Sequence, residues 1–165
     1  MSYIGRVVGV GATDEGNPVL LYGLSGRSAS SRSRVAKIHG SRVSIEPYGD
    51  MTPEQKAEAS RLVYDAMMTS AVNGVGVVSN GKQTGSIFRR YLRRRDANGT
   101  AKDATSSALR RWGHEGKVGD RYNTPRIAGM IDVFMFKEGY YTGHSALGIV
   151  TVESEESSSL ATDLF

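Results

Sequence analysis

The chain has 165 residues, no cysteine and a formal net charge of +4. A hydrophobic fraction of 39% with 23% charged residues suits one soluble domain with an ordinary core, and the lack of cysteine excludes disulfides, thiolate metal sites and cysteine nucleophiles. No apolar run is long enough to span a bilayer, and Arg6 interrupts the first apolar stretch where a secretory signal would continue, so no membrane and a cytoplasmic location are expected.

The first half reads as β. Tyr3 to Val10 and Pro18 to Leu24 are apolar, β-branched runs separated by the turn-rich segment 11–17. The serine- and arginine-rich stretch from Gly26 to Arg34 reads as a loop. Arg34 to Ile38 and Arg42 to Ile45 read as a second hairpin about His39-Gly40. A helix is expected from Thr52, with Thr52 and Gln55 as a capping box and Pro53 at the first helical position. Its stripe of Ala59, Leu62, Val63, Ala66 and Met67 continues to about Met68. Strand returns over Val72 to Ser79, with Asn73-Gly74 as a turn candidate. Helix resumes after Thr84 through Ile87, Tyr91 and Leu92, and a further helix is expected from Ala104 to Trp112. Two long strands, Ile127 to Phe136 and Tyr140 to Val152, then meet about Lys137-Glu138-Gly139. Strands, then helices, then strands predict an α+β fold in one domain over 1–152. Residues 153–165 form an acidic, serine-rich tail expected to be disordered; its acids leave the remaining body more basic than the whole, which points to an anionic partner.

The loop Tyr122-Asn123-Thr124-Pro125-Arg126 carries the sharpest signal. Pro125 pushes Thr124 towards extended geometry, so a polar loop feeds a strand and Arg126 sits at the strand's mouth. A guanidinium there suits phosphate or carboxylate, though a solvated arginine at a strand's start is the bland alternative. Three other segments join it: Asn17-Pro18 after the first strand, Gly26-Arg27-Ser28 after the second, and Ser79-Asn80-Gly81-Lys82-Gln83-Thr84. In this order, from about Tyr3 to Val152, they resemble the archaeal-type IMP cyclohydrolase family.

The resemblance implies a layered αββα sandwich of two mainly antiparallel sheets flanked by helices, like that of N-terminal-nucleophile hydrolases. It implies closure of the second purine ring, converting 5-formamidoimidazole-4-carboxamide ribotide to inosine monophosphate and water. The expected partner is thus a purine ribotide, with self-association into a homo-oligomer and with no cofactor and no metal. Insertions flank Tyr64 and Glu115, and the chain stops earlier than members of that family, whose further part would add strand.

Such chemistry asks for arginine, a tyrosine and a carboxylate about an anchored phosphate. In the family an arginine of the serine-rich loop belongs to the active site; Arg27 and Arg32 both lie there, and both are carried. Tyr64, near the end of the expected first helix, matches the family's active-site tyrosine; its alternative is a core-edge tyrosine. Glu115 matches the family's proton-transfer carboxylate, with Asp120 as competitor. Asn80, Thr84, Asn123, Thr124 and Arg126 are candidates for orienting the base or binding phosphate. Thr84 is expected to open a helix whose free N–H groups suit phosphate.

Other signals are weaker. His39, His114 and His144 lack metal-ligand spacing. The run Arg89 to Arg95, joined by Arg110 and Arg111, is the best case for nucleic acid, but its apolar members form one helical stripe and leave the arginines on a solvated face. Two rival readings therefore remain: a non-catalytic nucleotide-binding protein on the same fold and, less favoured, a nucleic-acid-binding protein.

Overall fold

Turn chemistry sets the hairpins of the first half. The computed structural model describes residues 5–26, 29–60, 63–95, 100–112, 125–137, 140–150 and 160–163. β1 (Arg6–Ala12) and β2 (Pro18–Leu24) pair antiparallel, with Arg6 opposite Leu24 and Ala12 opposite Pro18. A single helical turn, α1 (Ala29–Arg32), sits in the segment expected to be loop. β3 (Arg34–His39) and β4 (Arg42–Pro47) then form the second expected hairpin, with Gly40 in the left-handed region at φ 58°.

The capping box at Thr52 forms as read. The Thr52 amide donates to Gln55 Oε1 at 2.9 Å, and the Gln55 amide donates to Thr52 Oγ1 at 3.3 Å. The helix it opens, α2 (Pro53–Ser60), is shorter than expected. The stretch read as its continuation is instead β5 (Tyr64–Ser70), paired with β4 on one side and with β6 (Val75–Ser79) on the other. The helical spacing of Leu62, Val63, Ala66 and Met67 is overridden by this two-sided pairing, and Tyr64 therefore stands on a strand. A bulge disguises the strand's period of two: Met67 faces Val43 and Asp65 faces Ser44, leaving Ala66 as an extra residue beside Tyr64.

The turn before β6 runs through Gly74 at φ 62°; a Cβ there would meet the Val133 carbonyl oxygen at 2.2 Å. α3 (Thr84–Arg94) follows β6, and α4 (Ala101–Trp112) begins three residues earlier than expected because Thr100 caps it, its Oγ1 accepting from the Asp103 amide at 3.0 Å. β7 (Arg126–Lys137) and β8 (Tyr140–Val150) are the long pair. β9 (Leu160–Asp163), inside the stretch read as a tail, pairs with β8.

β1 and β2 make a two-stranded sheet, and β3 to β9 make a seven-stranded antiparallel sheet in chain order. The α+β class holds. Alternation along β6 and β7 sorts the two faces of the larger sheet. Val75, Val77, Ala128 and Met130 pack against Ile87, Phe88 and Tyr91 of α3 and Ala101, Ala104, Ala108 and Leu109 of α4. The intervening Gly76 and Gly129 face the β1–β2 hairpin: a Cβ on Gly76 would meet Leu20 Cδ1 at 2.7 Å, and one on Gly129 would meet Val10 Cγ1 at 2.6 Å. The two glycines are seats into which the hairpin's apolar side chains fit.

Under the helices, Asp132 of β7 is fully buried. It pairs with Arg95, Nη2 to Oδ1 at 2.8 Å, and accepts a hydrogen bond from the Tyr91 hydroxyl. Burial first, and the Asp132 carboxylate second, push the Tyr91 phenol above its ordinary pKa.

Candidate active site

Two polar corners are joined by one arginine. The first lies where β6 ends, α3 begins and β7 starts. Asn80 follows β6 and is nearly sealed from solvent. Its Nδ2 donates to the Pro125 carbonyl at 2.6 Å; its Oδ1 accepts from the Ile127 amide at 2.9 Å and from Gln83 Nε2 at 3.1 Å. Gln83 in turn accepts from Arg126 Nη1 at 2.9 Å. Asn80 thereby holds the start of β7 on both sides of Arg126, and Gln83 holds the guanidinium. Arg126 is 8% exposed, so it is no solvated surface arginine. Thr84 opens α3 as expected, but its buried hydroxyl lies 2.5 Å from Ser79 Oγ and donates to the Gly81 carbonyl at 3.1 Å. Ser-Asn-Gly-x-x-Thr is thus a self-bonded corner whose side chains point into protein. Replacing Asn80 by alanine leaves the half-buried Pro125 carbonyl without its donor and the half-buried Ile127 amide without its acceptor. The expected loss is about 2–3 kcal/mol of stability, read from the urea midpoint.

The second corner lies between the two sheets. The Tyr22 and Tyr64 hydroxyls are 2.5 Å apart, one carried by β2 and the other by β5. Tyr64 is buried with Ile45 and Ala66, and Tyr22 and Leu24 pack against them. Burial pushes the Tyr22 phenol well above its ordinary pKa; the neighbouring Tyr64 pushes the same way, while the charges of Arg6 and Arg34 oppose it. Tyr22 therefore keeps its proton at neutral pH. The Arg6 guanidinium lies over the Tyr64 ring, 5.5 Å from its centre, and its Nη1 donates to the Asn80 carbonyl at 2.6 Å. One side chain of β1 so links both corners.

Arg34 completes the second corner. It is 9% exposed; its Nε donates to the Ser31 carbonyl at 2.9 Å, and its Nη1 is buried without a hydrogen-bond partner among the described residues. Gly26 lies close against Ser31, since a Cβ on Gly26 would meet the Ser31 carbonyl carbon and oxygen at 2.5 Å.

The structure thus brings Tyr64, Asn80, Thr84 and Arg126 to two linked corners. Arg32 is exposed at the end of α1, and no described contact joins it to them. Arg27, Glu115, Asn123 and Thr124 lie outside the described residues, as does Asp120. Sequence reasoning did not single out Arg6, Tyr22, Arg34 and Gln83, which the structure places at these corners. For Arg6 and Tyr22 a signal existed: Arg6 shares its strand face with Val8 and Val10, and Tyr22 shares its face with Leu20 and Leu24, so both point inward.

Residues 3–162 match the family described as IMP cyclohydrolase-like protein. The chain belongs to that family. It is 35% identical over 155 residues to an IMP cyclohydrolase of Methanococcus maripaludis strain S2, and 32% identical over the same length to that of strain C7. Each alignment covers 93% of this chain and 68% of the relative. No solved structure gives a significant match. Membership makes this an enzyme of the IMP cyclohydrolase type, in purine biosynthesis. No helix among the described residues is long and apolar enough to cross a membrane.

Proposed function

We propose that the chain closes the second purine ring, taking 5-formamidoimidazole-4-carboxamide ribotide to inosine monophosphate and water at the corner of Tyr22, Tyr64, Arg6 and Arg34. The observation that carries the assignment is the pair of tyrosine hydroxyls at 2.5 Å beside Arg34, whose buried Nη1 has no partner among the described residues. A buried guanidinium nitrogen without an acceptor suits an anionic oxygen.

In the reaction the carboxamide nitrogen attacks the formyl carbon, and a new C–N bond forms. The formyl oxygen gains negative charge, then takes one proton from the carboxamide nitrogen and one from the formamido nitrogen and leaves as water. Neutral Tyr22 and its partner Tyr64 form a hydroxyl pair able to carry a proton towards that oxygen. Arg6 and Arg34 offer fixed positive charge for the developing oxyanion or the ribotide phosphate. Holding both substituents in attack geometry supplies a further share of the rate. In this reading Arg27 or Arg32 and Glu115 join the catalytic group, Asn123, Thr124 and Arg126 bind the ribotide, and Asn80 and Thr84 hold the corner in shape. We extend the fold to the αββα sandwich and place the enzyme in the cytoplasm.

The direct test follows the absorbance of inosine monophosphate as purified protein acts on the formylated ribotide. Tight ribotide binding with no turnover would favour the non-catalytic reading. For Arg34→Gln the expected result is ribotide affinity about 10- to 100-fold weaker by calorimetry, since a charge-assisted hydrogen bond is worth about 1.5–3 kcal/mol. The melting temperature should not fall, because the variant removes a buried charge that protein does not fully satisfy. Unchanged affinity would take Arg34 out of the site.

A further inference from the structure

The arginines of α3 that the ring closure leaves unused are not a simple solvated face. Arg89, Arg90, Arg93 and Arg94 of α3 and Arg111 of α4 line one groove of about 450 Å³, with Ser86 at its end. The groove lies on the helix-covered side of the larger sheet, away from the face that carries the hairpin with Tyr22. No described carboxylate lines it, and none of the five arginines makes an ion pair with a described acid. Five like charges in one concavity repel one another and focus a positive field on whatever enters.

We propose that this groove is a second anion site, separate from the ring-closing corner, for a compact chain of linked phosphates. Charge sets the class. One phosphate group carries about two negative charges, which leaves most of five guanidiniums unmatched, whereas three linked phosphates come close to balance. Size allows it: from Ser86 to Arg94 the helix rises by eight steps, roughly 12 Å at about 1.5 Å per residue, which leaves room for three linked phosphates along the groove. Guanidinium forks bind phosphate oxygens two at a time, and arginines from two helices can grip successive groups.

The lining also argues against nucleic acid. Tyr91 is 2% exposed with its hydroxyl on Asp132, and Phe88 is buried in the core, so the described lining offers no aromatic platform for bases. The phosphate chain could come from an inorganic polyphosphate or from a nucleoside triphosphate, and the lining recognises what the two share.

The test is calorimetric titration of the full chain at low salt with inorganic tripolyphosphate, ATP, orthophosphate and a mixed-sequence single-stranded 12-mer. Tripolyphosphate is expected to bind saturably and at least tenfold more tightly than orthophosphate. Equal affinity for ATP assigns the site to phosphates alone; a tenfold preference for ATP names the nucleotide as the source. The double variant Arg93→Gln, Arg111→Gln should weaken tripolyphosphate at least tenfold, with an unchanged melting temperature and unchanged ribotide conversion. Absence of saturable tripolyphosphate binding overturns the proposal, as does binding that the double variant leaves intact. Tighter binding of the 12-mer than of tripolyphosphate, lost in the same variant, would overturn the class and make the groove a nucleic-acid surface.

Discussion

Tyr64→Phe is expected to lower turnover by about 10²- to 10⁴-fold, the range for loss of a positioned proton-transfer group. Ribotide affinity should stay within about tenfold, because the ring, its packing on Ile45 and Ala66 and the Arg6 guanidinium above it all remain. Stability should fall by only about 0.5–1.5 kcal/mol, the usual net worth of one hydrogen bond. Tyr22→Phe removes the other half of the pair and should reduce the same chemical step. Full single-turnover rates in both variants would leave the pair a structural contact between two sheets and nothing more.

Asp132→Ala is expected to carry the largest cost in stability, about 3–5 kcal/mol, with the loss read from the urea midpoint. The carboxylate is fully buried and bonded to Arg95 and Tyr91, so its removal takes an acid partner from Arg95, leaving it its bond to the Asn73 carbonyl, and leaves the buried Tyr91 hydroxyl without its acceptor beneath α3. Asp132→Asn keeps the volume and an acceptor for Tyr91, and should recover part of the loss. A midpoint within experimental error of the wild type for Asp132→Ala would show that Arg95 finds water at no cost. Per molecule folded, ring-closing activity should survive both changes, since Asp132 faces the helices and not the hairpin.

Much of the architecture was legible because local chemistry agreed with the fold. Thr52 and Gln55 announced a helix start, Gly40 and Gly74 announced turns, and the stripe Ile87, Tyr91 and Leu92 announced α3. Tyr64 was placed on the wrong element because its neighbours fit a helical spacing and the bulge at Ala66 hides the alternation of the strand. Only pairing decides the matter, with β6 across the next turn and with β4 on the far side of α2 in sequence. The significance of Asn-Thr-Pro-Arg was readable in part: Pro125 does precede a strand and Arg126 is its first residue. That Asn80 and Gln83 hold that arginine in place was not readable, since 43 or more residues separate the partners. Arg34 is a strand arginine among others, and no spacing marks it as the one that is buried.

The glycine seats at Gly76 and Gly129 bear on how the enzyme would open and close. The hairpin that carries Arg6 and Tyr22 rests on the larger sheet through side chains fitted over bare backbone, while Tyr64 belongs to the sheet itself. Tyr22–Tyr64 and Arg6–Asn80 are polar links across that seam. A ligand gripping residues from both halves would act as a clasp, its binding energy spent partly on keeping the hairpin seated. Amide hydrogens of β1 and β2 should then exchange more slowly in the complex than in the free enzyme, while those of β6 and β7 scarcely change.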